Sequence, residues 1–491
     1  MTNKRRKSDA ARWANQTIRR RTVLLMGLLG VAVFAALLFK LYDLQIVRHE
    51  ELQEKAVAQQ TRSAVVTASR GAIYDKNGEI MAVSATAETV CISPYDIENH
   101  KDTQDKEYVA RGLARILELD EQRRQLIAST EQRKAMQNKV SKEIPQMKKQ
   151  GKDVAPLFAE MAELKAELAE DAAKLDAVLA EYRTCMLSLP NLPDPDLKPG
   201  GKENNEPLRY FGEPHKFDFT PKHHVDLCEG LGLIDYDRGV KLAGSGFWMY
   251  KGMGARLEWA LLNYFIDCHI ADGYEFILPP HMLEYQCGET AGQFPKFADE
   301  VYKIANPTDD RIHYMLPTAE AALCSIYRDE ILTEAELPRK FFAYTPCFRR
   351  EAGSGHADER GMVRGHQFNK VEMFQFTRPE DSDAAFEELV RKAENLVKGL
   401  GFHFRTVKLA AGDCSASMAR TYDIEIQIPS MNGYKEVSSV SNARDYQARR
   451  GNIRFRREAT GKPEFVHTLN GSGLATSRIF PAMVEQNQRA D

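Results

Sequence analysis

The sequence predicts an α+β chain in which a long helical hairpin precedes a larger domain of mixed strands and helices, with one apolar helix and a small β-rich fragment at the N-terminus. Three observations predict it. Apolar residues recur at steps of three and four from Leu157 to Met186; strand-like segments broken by glycine-rich turns recur between Gly273 and Arg478; and an apolar run, Val23 to Phe39, follows a basic tail. At 491 residues the chain is long enough for about three domains. Its 43% hydrophobic and 28% charged composition is that of a folded chain, not a disordered one. Lys and Arg number 67 against 70 Asp and Glu, so a surface basic all over is excluded, and any RNA contact must come from a local patch. The eight cysteines (Cys91, Cys185, Cys228, Cys268, Cys287, Cys324, Cys347, Cys414) form no CxxC pair, which argues against a zinc knuckle or a dense disulfide framework and for reduced thiols.

Residues 1–21 form a basic tail, with Lys4, Arg5, Arg6, Lys7, Arg12, Arg19, Arg20 and Arg21 against Asp9. A transmembrane helix is predicted over 22–47. Val23 to Phe39 would span about 26 Å at about 1.5 Å per residue, short of a hydrocarbon core of roughly 30 Å; Leu41 to Val47 extend it, with Lys40 snorkelling. A cleaved signal peptide is the rival reading, but no small-x-small site follows Phe39. The basic flank would hold the tail inside, place everything after about residue 48 outside the cytoplasm and make membrane association an expectation. From Thr61 to Pro94 apolar and polar residues alternate around Asn77-Gly78, a hairpin signal.

The run Arg70-Gly71-x-Ile73-Tyr74-Asp75-x-Asn77-Gly78 behind a single span resembles the membrane-proximal pedestal of class B penicillin-binding proteins, over about residues 10–115. The fragment is assigned to 48–115. Those enzymes acylate a serine in an SxxK box and carry a KTG box. No serine here has a lysine three positions on and there is no KTG, so the pedestal arrives without a transpeptidase.

The hairpin domain is assigned to 116–188, although helical character begins near Lys106. From there to Ser188 almost the only turn chemistry is Gly151-Lys152-Asp153 and Pro156. Leu157, Met161, Leu164, Leu168, Ala172, Leu175, Leu179, Tyr182 and Met186 form a coiled-coil seam, so two antiparallel helices should meet near Gly151, with a kink at Pro145. Charge is divided: residues 121–152 hold nine bases and three acids, and 153–183 hold three bases and eight acids. These are either complementary solvated faces or a basic edge that follows a phosphate backbone, with Arg123, Arg124, Arg133, Lys134 and Lys139 as its candidates.

Pro190-Asn191-Leu192-Pro193-Asp194-Pro195 ends the second helix, and a Gly/Asn/Pro-rich linker over 189–219 leads to the largest domain, 220–491. Four stretches there bear on chemistry. Gly273 to Pro280 follows the amphipathic segment Gly254 to His269. Thr345 to Ser354, with Phe348-Arg349-Arg350-Glu351, passes through a glycine-rich loop to Arg364 to Glu372, a strand–basic loop–strand arrangement suited to anions. The third is Tyr434 to Ser439. The fourth is His467-Thr468-Leu469-Asn470-Gly471-Ser472-Gly473-Leu474-Ala475, a glycine-rich strand opening a helix that carries Arg478.

In this order the stretches resemble the three signature motifs of class II aminoacyl-tRNA synthetases. Within them, the NLPDPD linker after a helical arm, Ala291 to Phe297, Pro317-Thr318-Ala319-Glu320, FRREAGS and HTLNGSGLA are similar to the bacterial seryl-tRNA synthetases over about Leu119 to Asp491. The resemblance implies an antiparallel sheet of six to seven strands flanked by helices, a homodimer joined through the first motif, and an arm that grips serine tRNA. It also implies ATP and L-serine as substrates and Mg²⁺ as cofactor. Arg349 and Arg478 would be the catalytic arginines, one bridging the α-phosphate and the serine carboxylate, the other on the γ-phosphate and one face of adenine. Phe368 would stack on the other face and Glu351 would accept from the adenine amino group. Arg350, Val437 and Ser438 would complete the ATP site. Glu436 and Ser439 would offer oxygens to the metal. Thr318, Ala319, Glu320, Glu372 and Ser472 would join Arg349 around serine. His366 and His467 read as structural.

The sequence departs from that family in two places. The segment that normally precedes the arm is replaced by the pedestal, with a seam near Ile116 to Asp120, and the chain stops soon after the third motif. The two halves also contradict each other, since the span exports a domain whose ATP and tRNA are cytoplasmic. Serine–tRNA ligation is expected for the larger part and a fused or misassembled gene product for the whole. The alternative is a membrane-anchored scaffold of cell-wall assembly.

Overall fold

The fold is that of a computed structural model describing residues 73–74, 80–82, 106–305, 311–351, 361–431 and 433–490. The predicted tail 1–21, the predicted span 22–47 and most of the fragment 48–115 lie outside these residues. Among the described residues no helix is long and apolar enough to cross a membrane. Strands β1 (Ile73–Tyr74) and β2 (Ile80–Ala82) pair antiparallel with an irregular register; the predicted turn at Asn77-Gly78 lies outside the described residues.

The hairpin consists of α1 (Lys106–Lys149) and α2 (Ala155–Ser188). Helix α1 runs without interruption through 115/116 and through the expected seam at 116–120. Pro145 lies inside α1, which continues to Lys149, and Gly151 turns the chain at φ +67°. That is the left-handed region glycine enters without steric cost. The seam follows the predicted spacing except at two steps. Ala172 and Leu179 are exposed, and Asp171 and Val178 take their turns in the interface. A pattern written in apolar residues passes over Asp171, which is only 7% exposed. Its burial is tolerated because Arg133 of the facing helix pairs with it and Ser129 Oγ donates to it at 2.9 Å. Such a pair inside a seam fixes register more than it adds stability.

The NLPDPD segment staples the base of the hairpin to the larger domain. Asn191 Nδ2 donates to the Ser417 and Ala443 carbonyls at 3.0 and 2.8 Å, and Asp194 accepts from both Arg420 (2.7 Å) and Arg444 (2.8 Å). The linker is also not wholly irregular. Its residues Glu206–Phe211 form β3, an exposed edge strand visible only through its partner.

Beyond β3 come α3 (His224–Gly230), α4 (Met253–Ala271), β4 (Glu275–Ile277), α5 (Ala319–Cys324), β5 (Arg339–Phe348) and β6 (Gln367–Thr377). Helix α6 (Ser382–Gly399), strands β7 (Phe404–Lys408), β8 (Arg420–Ile428), β9 (Gly433–Arg444) and β10 (His467–Ala475), and helix α7 (Thr476–Gln486) follow, with shorter helices and three smaller sheets around them. The sheet has eight strands in the order β3-β7-β8-β9-β10-β6-β5-β4, one or two more than expected, and is antiparallel except for the β5/β4 pair. Leu261, Leu262 and Phe265 of α4, Leu389, Val390 and Val397 of α6, and Ile479 and Phe480 of α7 bury one face of it. The buried His224–Glu485 pair (2.7 Å), with Ser430 donating to the same carboxylate at 2.7 Å, fastens α7 to the start of α3. The other face carries the polar residues described next. Seven of the eight cysteines are described, and all seven are free thiols.

Candidate active site

Strand periodicity brings the predicted residues together, since positions two apart share a face. Lys370 and Glu372 lie on β6, and Asn470 and Ser472 on β10; Glu372 stands directly opposite Ser472 in the ladder. Thr318 caps α5, its hydroxyl accepting from the Glu320 amide at 3.3 Å. That hydroxyl also lies 3.4 Å from a Glu372 oxygen, and Asn470 Nδ2 donates to the other oxygen at 3.2 Å. Glu320 accepts from Gln447 Nε2 at 2.7 Å. Burial first, and then the charge of Glu372, pushes the Glu320 carboxyl up to about 7. Ser472 Oγ and Asn470 Oδ1 are buried with no partner among the described residues. Thr318, Glu320, Glu372 and Ser472 therefore converge, as expected. Ala319 does not contribute a side chain, because its methyl group is buried in the core beneath α5.

Arg349 follows the end of β5, where His366 Nδ1 lies 3.0 Å from its carbonyl. Its Nε donates to the Pro317 carbonyl at 3.3 Å and its guanidinium lies 5.3 Å from the Phe368 ring centroid. One arginine thus touches the residue before Thr318 and a ring suited to a flat base. Arg350 faces elsewhere: exposed, it donates to the Asp299 carbonyl at 2.7 Å, which sets it apart from Arg349. Glu351, at φ +47°, pairs with Arg364 at 2.6 Å across the base of the loop.

Arg478, in the first turn of α7, donates to the Glu436 carbonyl at 2.6 Å and lies 3.5 Å from its carboxylate. Between Ile424 and Glu425 the β8/β9 register jumps from Ser438 to Glu436, leaving Val437 as an extra residue. This bulge shifts the alternation. Glu436 and Ser439, three apart, are both partly exposed, whereas Val437 and Ser438 are buried. Val437 joins the core and the Ser438 hydroxyl donates to the Ser472 carbonyl at 2.6 Å, so neither side chain is offered to a nucleotide. Opposite Ser439 stands Asp423. Burial drives its carboxyl well above the ordinary range, followed by the charge of Glu436, and its Oδ1 has no partner among the described residues. An oxygen-only donor set with an unpartnered carboxylate oxygen fits a hard cation such as Mg²⁺.

On the hairpin the five candidate bases divide. Arg123 and Arg124 pair with Asp120, and Arg133 with Glu167 (2.9 Å) and Asp171. These three serve the hairpin itself. Lys134 and Lys139 are exposed.

Sequence reasoning passed over Lys370, Asn470, Gln447 and Asp423. The first two stand two residues from Glu372 and Ser472, so strand spacing could have found them. Gln447 and Asp423 reach the site only through tertiary packing and cross-strand register.

The family described as "tRNA synthetase class II core domain (G, H, P, S and T)" matches residues 302–487, and that described as "Seryl-tRNA synthetase N-terminal domain" matches 95–193. Serine–tRNA ligase 2 of Clostridium acetobutylicum is 61% identical over 378 residues, covering 77% of this chain and 89% of that protein. The chain belongs to the serine–tRNA ligase family. Serine–tRNA ligase of Thermodesulfovibrio yellowstonii is 45% identical over 399 residues, 80% of this chain and 93% of its own. The seryl-tRNA synthetase from Pyrococcus horikoshii, solved with ATP, superposes with a TM-score of 0.69 at 33% identity over 77% of this chain and 88% of that one. Membership accounts for the mixed sheet and for the hairpin in front of it. The N-terminal match begins at 95, upstream of the seam the sequence places at 116–120. The penicillin-binding-protein resemblance finds no support among these matches, nor does the scaffold alternative.

Proposed function

We propose that this serine–tRNA ligase family member activates L-serine with ATP to seryl-adenylate and passes the seryl group to the 3′ end of serine tRNA. The observation that carries the proposal is the convergence of Thr318, Glu320, Glu372 and Ser472 beside Arg349. Forming the acyl-adenylate requires the serine carboxylate to attack the α-phosphorus of ATP and break its bond to the β-phosphate bridging oxygen, releasing pyrophosphate, so two anions must be held together while charge develops at phosphorus. The Arg349 fork suits both anions. Phe368 and Arg478 would enclose the adenine, with Arg478 also on the γ-phosphate and Glu351 accepting from the amino group. Glu436 and Ser439 would hold Mg²⁺, which neutralises phosphate charge when bound. No side chain has to act as a base, because the nucleophile is already a carboxylate. The unpartnered Ser472 hydroxyl and the Thr318–Glu372 pair would recognise the substrate's hydroxyl and ammonium. Groups built around a hydroxyl reject its deoxy analogue by about 10⁴-fold when left unpaired.

For a homodimer joined through the first motif, exposed Trp259 and Ile270 on α4 and Leu278 just after the edge strand β4 are the apolar side chains it would cover. ATP and tRNA as substrates place the activity in the cytoplasm. Serine-dependent exchange of labelled pyrophosphate into ATP tests the function; a chain giving none is not a ligase.

Two predictions arise here. The Glu320 carboxyl sits near 7, so serine binding favours its ionised form and displaces its proton. The KM for serine should fall as pH rises through about 7, and Glu320→Gln should flatten that dependence. A pH-independent KM in the unaltered enzyme would remove Glu320 from contact with the ammonium.

On the hairpin, Lys134→Glu with Lys139→Glu should weaken tRNA charging and reduce its salt dependence by about one to two units of log–log slope, while pyrophosphate exchange is unchanged. Arg133→Glu should act differently. It sets a third carboxylate against Glu167 and Asp171 and should loosen the hairpin itself, seen as lower helicity on heating.

A further inference from the structure

The amino-acid pocket already contains a cation of its own. Lys370 is 8% exposed, and its Nζ donates to Thr318 Oγ1 at 2.8 Å while pairing with Glu372. These are two of the groups assigned to the serine ammonium. Lys370 lies on β6 two residues from Glu372, so both side chains enter the pocket from one face of the same strand. At this burial the ammonium is held chiefly by its partners Thr318 and Glu372.

We propose that Lys370 is a specificity-determining positioning residue: it is the resident counter-ion of the pocket, holds Thr318 and Glu372 in place, and makes the site favour a zwitterionic amino acid over the corresponding cation. The inference rests on the serine-pocket reading above. Above about pH 7, where Glu320 is ionised, Lys370 and Arg349 set two positive charges against the two carboxylates Glu320 and Glu372. A zwitterion adds one charge of each sign and leaves that balance intact. An amine lacking the carboxylate adds a positive charge with no partner, which is costly where water is excluded. Without Lys370 the pocket carries an excess negative charge, and a cation becomes the better fit. A lysine that only ties β6 to the cap of α5 would make no such distinction, because its loss would loosen the pocket for both kinds of ligand alike.

The test compares L-serine with L-serinamide, which keeps the hydroxyl and ammonium but replaces the carboxylate with a neutral amide. Their dissociation constants are measured by titration calorimetry on the full chain for the unaltered protein, Lys370→Met and Lys370→Arg. The expected result is that the ratio of the serinamide to the serine constant falls by about tenfold or more in Lys370→Met, the scale of one uncompensated buried charge, and is restored in Lys370→Arg. An unchanged ratio, whether both constants move together or neither moves, overturns the proposal. If Lys370→Met does not fold, Lys370→Gln carries the same comparison. Glu372→Gln separates the two levels of inference. Should it leave serine binding intact, the pocket reading itself falls; should it weaken serine while Lys370→Met leaves the ratio unchanged, only the role of Lys370 falls.

Discussion

Arg349→Ala should slow serine-dependent pyrophosphate exchange by about 10²- to 10³-fold, or about 3 kcal/mol, the range for removing one preorganised donor from a developing charge. The size of the effect follows from where the side chain is held. Its Nε is anchored on the Pro317 carbonyl next to Thr318 and its guanidinium lies 5.3 Å from the Phe368 ring centroid, between the groups proposed for serine and for the nucleotide. Arg350, its neighbour in sequence, is committed to the Asp299 carbonyl and cannot substitute. Arg349→Lys should recover little of the rate, because a point charge on a flexible stem does not reproduce a planar fork. Exchange at the unaltered rate in Arg349→Ala would remove this residue from the chemistry.

Asp194→Ala should destabilise the larger domain by about 3 kcal/mol, the cost of leaving partly buried charges without their partner. Asp194 is the shared acceptor for Arg420 and Arg444, whose side chains are 19% and 23% exposed, and it sits in the segment that fastens the hairpin to the sheet. Arg420 retains Asp196 and Arg444 retains Asp383, but both of those partners lie nearer solvent. Urea unfolding read from the fluorescence of the domain's tryptophans checks the prediction. A loss below about 1 kcal/mol would mean that solvent screens these pairs like ordinary surface bridges.

Asp194 also shows how a motif is legible before its task is. NLPDPD could be read as a helix terminator from its prolines alone, yet its two acids are a clamp whose arginines arrive more than two hundred residues later. The hairpin was similarly legible in its spacing and its turn at Gly151, but the apolar pattern chose Ala172 and Leu179 where the interface uses Asp171 and Val178. A charged residue is acceptable at a seam only when the facing helix supplies its counter-ion, and nothing local to Asp171 announces Arg133.

What the sequence by itself determined is therefore whatever a short stretch of chain controls: the two long helices, the strand that opens into the helix of Arg478, and residue types suited to an anion. The tertiary structure decided which of those residues meet. Glu206–Phe211 became an edge strand because β7 offered it a ladder. Val437 and Ser438 turned inward, with Glu436 and Ser439 left accessible together, because one extra residue in β9 shifted the alternation against β8. Lys370 joined Thr318 and Glu372 because the cap of α5 was packed against β6. Local sequence fixes φ, ψ and periodicity, whereas register and the pairing of buried charges depend on a partner strand or helix far away in the chain.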